Sequence, residues 1–178
     1  MADDRTARTP LVIVNTGDGK GKTTAALGLL LRAAGRGWKV IMLQFIKAET
    51  SNYGEHRAAR RLGIEIVPLG AGFTWQSDNI EHDRALARRC WELCKEKIAS
   101  GEYDLVALDE LTYPLNFGWL DIEEVLQVLR DRPRHVHIVI TGRNAPQQLI
   151  EFADTVTEMR AVKHAYKSGI RAQPGIEF

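Results

Sequence analysis

At 178 residues, 44% of them hydrophobic and 26% charged, the chain is sized for one soluble domain with a sizeable core. A formal net charge of +1 gives no overall electrostatic case for binding nucleic acid or a membrane surface. No apolar run approaches the ~18 residues that a membrane span needs.

The opening residues, MADDRTARTP, are short, polar and mixed in charge, which predicts a loose arm over residues 1–10 and no secretory leader. A single domain is expected over 11–178. The only cysteines, Cys90 and Cys94, sit four apart without nearby His or Cys partners. They make no zinc signature and read as buried thiols on a helix face. A cytoplasmic location is expected.

The first apolar run, LVIVN (11–15), predicts a strand, and TGDGKGKTT (16–24) follows it and opens a helix over 22–35. A phosphate-binding loop requires that context. Its glycines let backbone N–H groups converge on phosphate oxygens, and the helix N-terminus adds about half a positive charge. Lys22 supplies a cation for outer phosphate oxygens, Thr23 can ligate Mg²⁺ through its hydroxyl, and Thr24 can reach another phosphate. The strict pattern G-x-x-x-x-G-K-[ST] asks for glycine where Thr16 stands. Asp18 must turn away from phosphate or pair with a cation such as Lys20. The plainer alternative is a glycine-rich turn that only caps a helix.

Further strands are predicted over KVIMLQF (39–45), IEIVPL (64–69), YDLVALDE (103–110), HVHIVIT (135–141) and DTVTEMR (154–160). Several are apolar almost throughout, as in a sheet covered on both faces. Helices are predicted over 79–99, 122–130 and 145–153. The first carries a stripe of Leu86, Cys90, Leu93, Cys94 and Ile98; the second begins after Asp121, with Glu124 placed for a capping box; the third starts with Pro146. The arginines at 57, 60 and 61 and at 84, 88 and 89 recur at helical spacing and read as solvated helix faces.

Strands alternating with helices predict an α/β fold, a mostly parallel, doubly wound sheet of about six strands with P-loop (RecA-like) architecture. In such sheets ligands bind beyond the carboxyl ends of the strands. TGDGKGKTT, GAGFTWQ (70–76), the residues after Asp109 and TGRNAP (141–146) all leave such ends.

LVALDE (105–110) supplies carboxylates at a strand end, where Asp109 or Glu110 can hold a divalent cation directly or through water. If the strand continued, the two acids would point to opposite faces, so one of them would serve the metal. One of them could instead simply cap the next helix. Phe73 and Trp75 share one face of a glycine-hinged loop; on periodicity alone they read as a small satellite core. No nucleophilic Ser or Cys stands beside a convincing base.

Taken together, TGDGKGKTT, QFIK (44–47), GFTW (72–75), LDELTY (108–113), ITGR (140–143) and VKHAY…GI.AQ.GIEF (162–178) resemble the P-loop corrinoid adenosyltransferases, from about Leu11 to Phe178. The resemblance implies transfer of the 5′-deoxyadenosyl group of ATP to cobalt(I) of cobalamin or a related corrinoid, with release of triphosphate. It implies that Gly17, Asp18, Gly19, Lys20, Gly21, Lys22, Thr23, Thr24 and Arg143 contact the nucleotide. Mg²⁺ or Mn²⁺ would be held by Thr23 with Glu110 or Asp109, Glu110 being the choice by motif position. The nucleotide would lie reversed in its loop relative to ordinary NTPases. In catalysis Lys22 would act on the triphosphate, and Phe73 and Trp75 would displace the lower nitrogen ligand of cob(II)alamin so that the metal is easier to reduce. A homodimer and a flavoprotein electron donor are also implied. The competing readings are a generic P-loop ATPase or kinase, a nucleic-acid ATPase and a non-catalytic corrinoid carrier.

Overall fold

The structure is a computed structural model that describes residues 8–48, 53–70 and 80–177. The GFTW segment with Phe73 and Trp75 lies outside the described residues. In chain order the elements are β1 (Val12–Thr16), α1 (Lys22–Gly35), β2 (Val40–Ala48), α2 (Gly54–Leu62), β3 (Glu65–Gly70), α3 (Ile80–Ala99), β4 (Leu105–Asp109), α4 (Thr112–Asn116), α5 (Ile122–Asp131), β5 (His137–Thr141), α6 (Gln147–Phe152) and β6 (Thr155–Glu158). A 3₁₀ turn follows at Ala165–Ser168.

The strands form one sheet in the order β3-β2-β4-β5-β1-β6. Every pairing is parallel, so the sheet is parallel throughout where a mostly parallel one was expected. Side chains alternate between two apolar layers, as the two-residue period of a strand requires. Val12, Val14, Ile41, Leu43, Val106, Leu108, Ile138 and Ile140 pack with α3, α5 and α6. Val40, Met42, Leu105, Ala107 and Val139 pack with α1 and α2. β4 is buried along its whole length, which explains its unbroken apolar run. β6 is an exposed edge at every position.

Two helices lie outside the predicted ranges, although the helical spacing of Arg57, Arg60 and Arg61 pointed to the first of them. α2 carries the arginines 57, 60 and 61, all exposed, on a helix too short and too polar to show an apolar stripe. α4 is a five-residue turn containing Pro114. The capping box foreseen at α5 forms only by half. Asp121 accepts from the Glu123 amide at 3.0 Å, but Glu124 reaches across to Trp91 Nε1 and Lys95 Nζ, both at 3.0 Å. A charge-assisted contact between elements outcompetes the local one.

At the amino ends of the strands, Arg8 is held against the sheet. Its Nη1 donates to Asp104 at 2.8 Å and its guanidinium lies 4.0 Å from the Trp38 ring, which stacks on His137. The loose arm expected over 1–10 therefore falls mainly on residues outside the described ones.

Candidate functional site

The carboxyl ends of the strands carry a polar row on the face covered by α1 and α2. Gln44 on β2 is in register with Asp109 on β4, and Asn15 on β1 with Thr141 on β5. Gln44, Asp109 and Thr141 are buried, continuing the parity of the apolar residues before them. Asp109 is the hub. Its Oδ1 accepts from Thr23 Oγ1 at 2.9 Å and from Thr141 Oγ1 at 2.7 Å, while Oδ2 accepts from Gln44 Nε2 at 3.0 Å. With its proton turned to Asp109, the Thr23 hydroxyl keeps its lone pairs for the space in front of the loop.

Glu110 departs from the expected alternation. β4 ends at Asp109, and Glu110 adopts a left-handed backbone with φ of 63°, unusual for a residue with a side chain. The turn is held by the Glu110 amide donating to Thr141 Oγ1 at 2.9 Å. Its carboxylate consequently faces the same cleft as Lys22 and Thr23. Burial, reinforced by the neighbouring Asp109, pushes the Glu110 carboxyl up to about 7 against the opposing charges of Lys22, Arg143 and Lys47. One of its oxygens is buried without a hydrogen-bond partner. Strain and an unsatisfied acid at one point are marks of a site built for a cation or a donor.

Lys22, the first residue of α1, donates to the carbonyls of Gly17 and Gly19, both at 2.8 Å. Burial lowers its pKa, with Glu110 opposing that shift. Gly21 before it has φ of 115°, which only glycine adopts readily. Gly17 and Gly19 are required for a different reason than phosphate approach alone. A Cβ on either would come within 2.6 Å of the Met159 carbonyl, and the Gly19 amide donates to that carbonyl at 2.5 Å. Thr16, the departure from the strict loop pattern, also has a task. Its hydroxyl accepts from the Ala145 amide at 3.1 Å and so anchors the 142–146 loop beside the phosphate loop.

The cleft has a volume of about 380 Å³ and is walled by Lys20 to Thr24, by Lys47, Gly54 and Glu55 at the start of α2, by Glu110 and by the tail at Gly175–Glu177. Lys47 and Glu55 form an ion pair across it. Burial pushes Glu55 up, but the Lys47 hydrogen bond and charge outweigh it and leave the carboxyl below its ordinary value. Lys47 belongs to QFIK, but nothing in that tetrapeptide alone marks it as a cation facing Glu110.

Asp18 pairs with a cation as expected, but with Arg143, at 3.7 Å, in place of Lys20, which pairs with Glu177 at 3.3 Å. Both pairs are well exposed and contribute little to stability. Asp18 and Arg143 line a second, adjoining depression of about 760 Å³ with His164, Tyr166 and Ile170 of the tail. Arg143 thus stands beside the loop, not inside the cleft of Lys22 and Thr23. Among the described residues no group of three or more His, Cys, Asp or Glu converges as a metal cage. Thr23 and Glu110 offer hard oxygens, suited to a cation that completes its shell with phosphate oxygens and water.

The family model for ATP:corrinoid adenosyltransferases of the BtuR/CobO/CobP type matches residues 8–178. The chain belongs to the ATP:corrinoid adenosyltransferase family. Among its relatives, the corrinoid adenosyltransferase of Escherichia coli K12 is 45% identical over 168 residues, covering 94% of this chain and 85% of that protein. The corrinoid adenosyltransferase CobA of Salmonella typhimurium is 44% identical over 168 residues, with the same 94% and 85% coverage. That of Pseudomonas aeruginosa is 44% identical over 170 residues, covering 94% and 83%. Among solved structures, the flagellar accessory protein FlaH of Methanocaldococcus jannaschii aligns with a TM-score of 0.51 at 10% identity, over 86% of this chain and 74% of that one. That likeness concerns the fold alone. In this adenosyltransferase Lys22, Thr23 and Glu110 line one cleft, Asp109 is bonded to Thr23 behind them, and Gln44 and His56 are added from β2 and α2.

Proposed function

We propose that the cleft holds the triphosphate of ATP as a leaving group, while the 5′-deoxyadenosyl group passes to cobalt(I) of a corrinoid. The observation that carries this reading is the meeting of Lys22, Thr23 and Glu110 in one cleft, in a chain matched almost throughout by the adenosyltransferase family. The cobalt(I) electron pair attacks C5′, the C5′–O5′ bond breaks with its electrons to the triphosphate oxygen, and a cobalt–carbon bond forms with cobalt formally cobalt(III). Such a reaction asks the protein for no side-chain nucleophile. The two thiols do not offer one: Cys90 and Cys94 are buried in the α3 layer, and burial pushes Cys94 well up.

Catalysis then rests on holding C5′ in line and stabilising charge on the departing phosphates. Lys22 would exchange its two loop carbonyls for phosphate oxygens. The remaining loop amides and the α1 N-terminus would face the same anion. Mg²⁺ or Mn²⁺ would supply further positive charge there, held by Thr23 and by the unpartnered oxygen of Glu110. Asp109 would orient the Thr23 hydroxyl. Commitment of the Gly19 amide to Met159 supports a reversed nucleotide, because this loop does not present all its donors in the ordinary way.

The same reading assigns Phe73 and Trp75 to the lower face of the corrinoid, and makes residues 11–178 one catalytic domain. It also takes the working protein to be a cytoplasmic homodimer supplied with electrons by a flavoprotein. No helix among the described residues is long and apolar enough to cross a membrane. The test is spectral. Protein, ATP, Mg²⁺ and chemically reduced cobalamin should yield the cobalt–carbon absorption of an alkylated corrinoid. Binding of the corrinoid without any ATP-dependent change would favour a carrier instead.

A further inference from the structure

Asp109 is tied to the opposite wall of the cleft by a chain of hydrogen bonds whose direction is fixed throughout. Its carboxylate only accepts, so the Gln44 amide nitrogen must face Oδ2, at 3.0 Å. Gln44 Oε1 then faces His56 Nε2 at 2.7 Å, and that nitrogen must carry the proton. His56 Nδ1 is left as an acceptor, and it receives the Tyr53 amide at 3.3 Å. Tyr53 is the N-cap of α2 and His56 its third residue, so the chain runs from the first turn of α2 through β2 and β4 to Thr23 in the first turn of α1.

Two features separate this from ordinary packing. Gln44 and His56 are buried next to the apolar layer of Val40, Met42 and Ala59, where apolar side chains would avoid the cost of desolvating an amide and an imidazole. The turn that His56 organises also supplies Gly54 and Glu55 to the cleft.

We propose that Gln44 and His56 are positioning residues, which act through Asp109 to keep the Thr23 hydroxyl proton turned inward and its lone pairs turned toward a cation-bound triphosphate. The inference rests on the reading of the cleft given above. Without the His56 N–H, Gln44 Oε1 loses its buried donor, the Gln44 amide is free to rotate, and Asp109 loses its tether at Oδ2. The Thr23 orientation then relaxes.

The test compares His56→Leu, which fills the space without a donor, with His56→Gln, whose amide nitrogen reaches the place of Nε2. ATP affinity is measured by titration calorimetry without corrinoid, once with Mg²⁺ and once with EDTA. His56→Leu should weaken binding with Mg²⁺ about ten-fold, the low end for loss of an outer partner of a metal ligand, and leave binding in EDTA unchanged. His56→Gln should recover most of the loss. In a Thr23→Ala background, His56→Leu should add nothing further. Equal losses with and without Mg²⁺, or a lower melting temperature with wild-type Mg²⁺-dependent affinity, would overturn the relay and leave a structural role. Should the leucine variant not fold, the ¹⁵N spectrum of the wild-type His56 ring decides: a neutral Nε2–H tautomer is expected, and an Nδ1–H tautomer overturns the relay. Failure of the wild-type protein to bind ATP at all would overturn the reading of the cleft itself, which separates the two failures.

Discussion

Asp109→Asn changes one buried atom from acceptor to donor and should damage both stability and turnover. If the new amide nitrogen faces Gln44, two N–H groups meet where one hydrogen bond of 3.0 Å stood. Gln44 cannot turn over to compensate, because its own nitrogen would then face His56 Nε2–H, and a tautomer change at His56 would set its Nδ1–H against the Tyr53 amide. If the nitrogen faces the other way, it meets Thr23 and Thr141, and Thr141 already accepts from the Glu110 amide. The Thr23 proton would then be pushed toward the cleft. Either orientation leaves buried donors unpaired at about 1–3 kcal/mol each, so roughly 2–4 kcal/mol is lost. For a chain of this length that corresponds to a fall in melting temperature of roughly 5–15 °C. Calorimetric melting of wild-type and variant protein, with turnover measured well below both transitions, checks the size of each effect. Wild-type melting and wild-type turnover together would refute the placement of Asp109 as the hub.

Lys22→Ala removes the one cation at the head of α1, worth about 1.5–3 kcal/mol as charged hydrogen bonds, so ATP affinity should fall by roughly ten- to a hundred-fold in a direct titration. Unchanged affinity would count against the loop as a phosphate cradle. Gly19→Ala forces a methyl to within 2.6 Å of the Met159 carbonyl, and overpacking of this kind costs about 1–3 kcal/mol. Its melting temperature should drop, and ATP should protect it less than wild type. His137 is depressed by burial and then by the Arg8 charge. Stability from its neutral form is present above the unfolded value near 6.5 and is lost as pH falls from there through the depressed folded value. Melting measured from pH 7.5 to 5 should therefore show a loss that His137→Asn reduces, and an identical pH profile in the variant would remove His137 as a source.

The parallel sheet and the phosphate loop were legible because both are written locally. A short apolar run, a glycine loop and a helix follow one another without interruption, and Lys22 and Thr23 could be named from that order. Glu110 was chosen by motif position and not by geometry. Strict alternation along the strand separated it from Asp109, whereas a left-handed turn held by Thr141 brings its carboxylate into the same cleft. Asp18 found Arg143 and not Lys20, because the Thr16 hydroxyl anchors the 142–146 loop at its side. Gln44 entered only as part of QFIK, and His56 carried no signal of its own. A glutamine in a strand and a histidine in a polar helix are ordinary until parallel register sets Gln44 against Asp109, 65 residues away.

The most direct measurement is the phosphate product. Protein incubated with ATP, Mg²⁺ and chemically reduced cobalamin is followed by ³¹P resonance, with a parallel sample lacking the corrinoid. Inorganic triphosphate, formed only when reduced cobalamin is present, is the result that a leaving-group cradle predicts. ADP or orthophosphate as the main product, formed equally with and without the corrinoid, would contradict it.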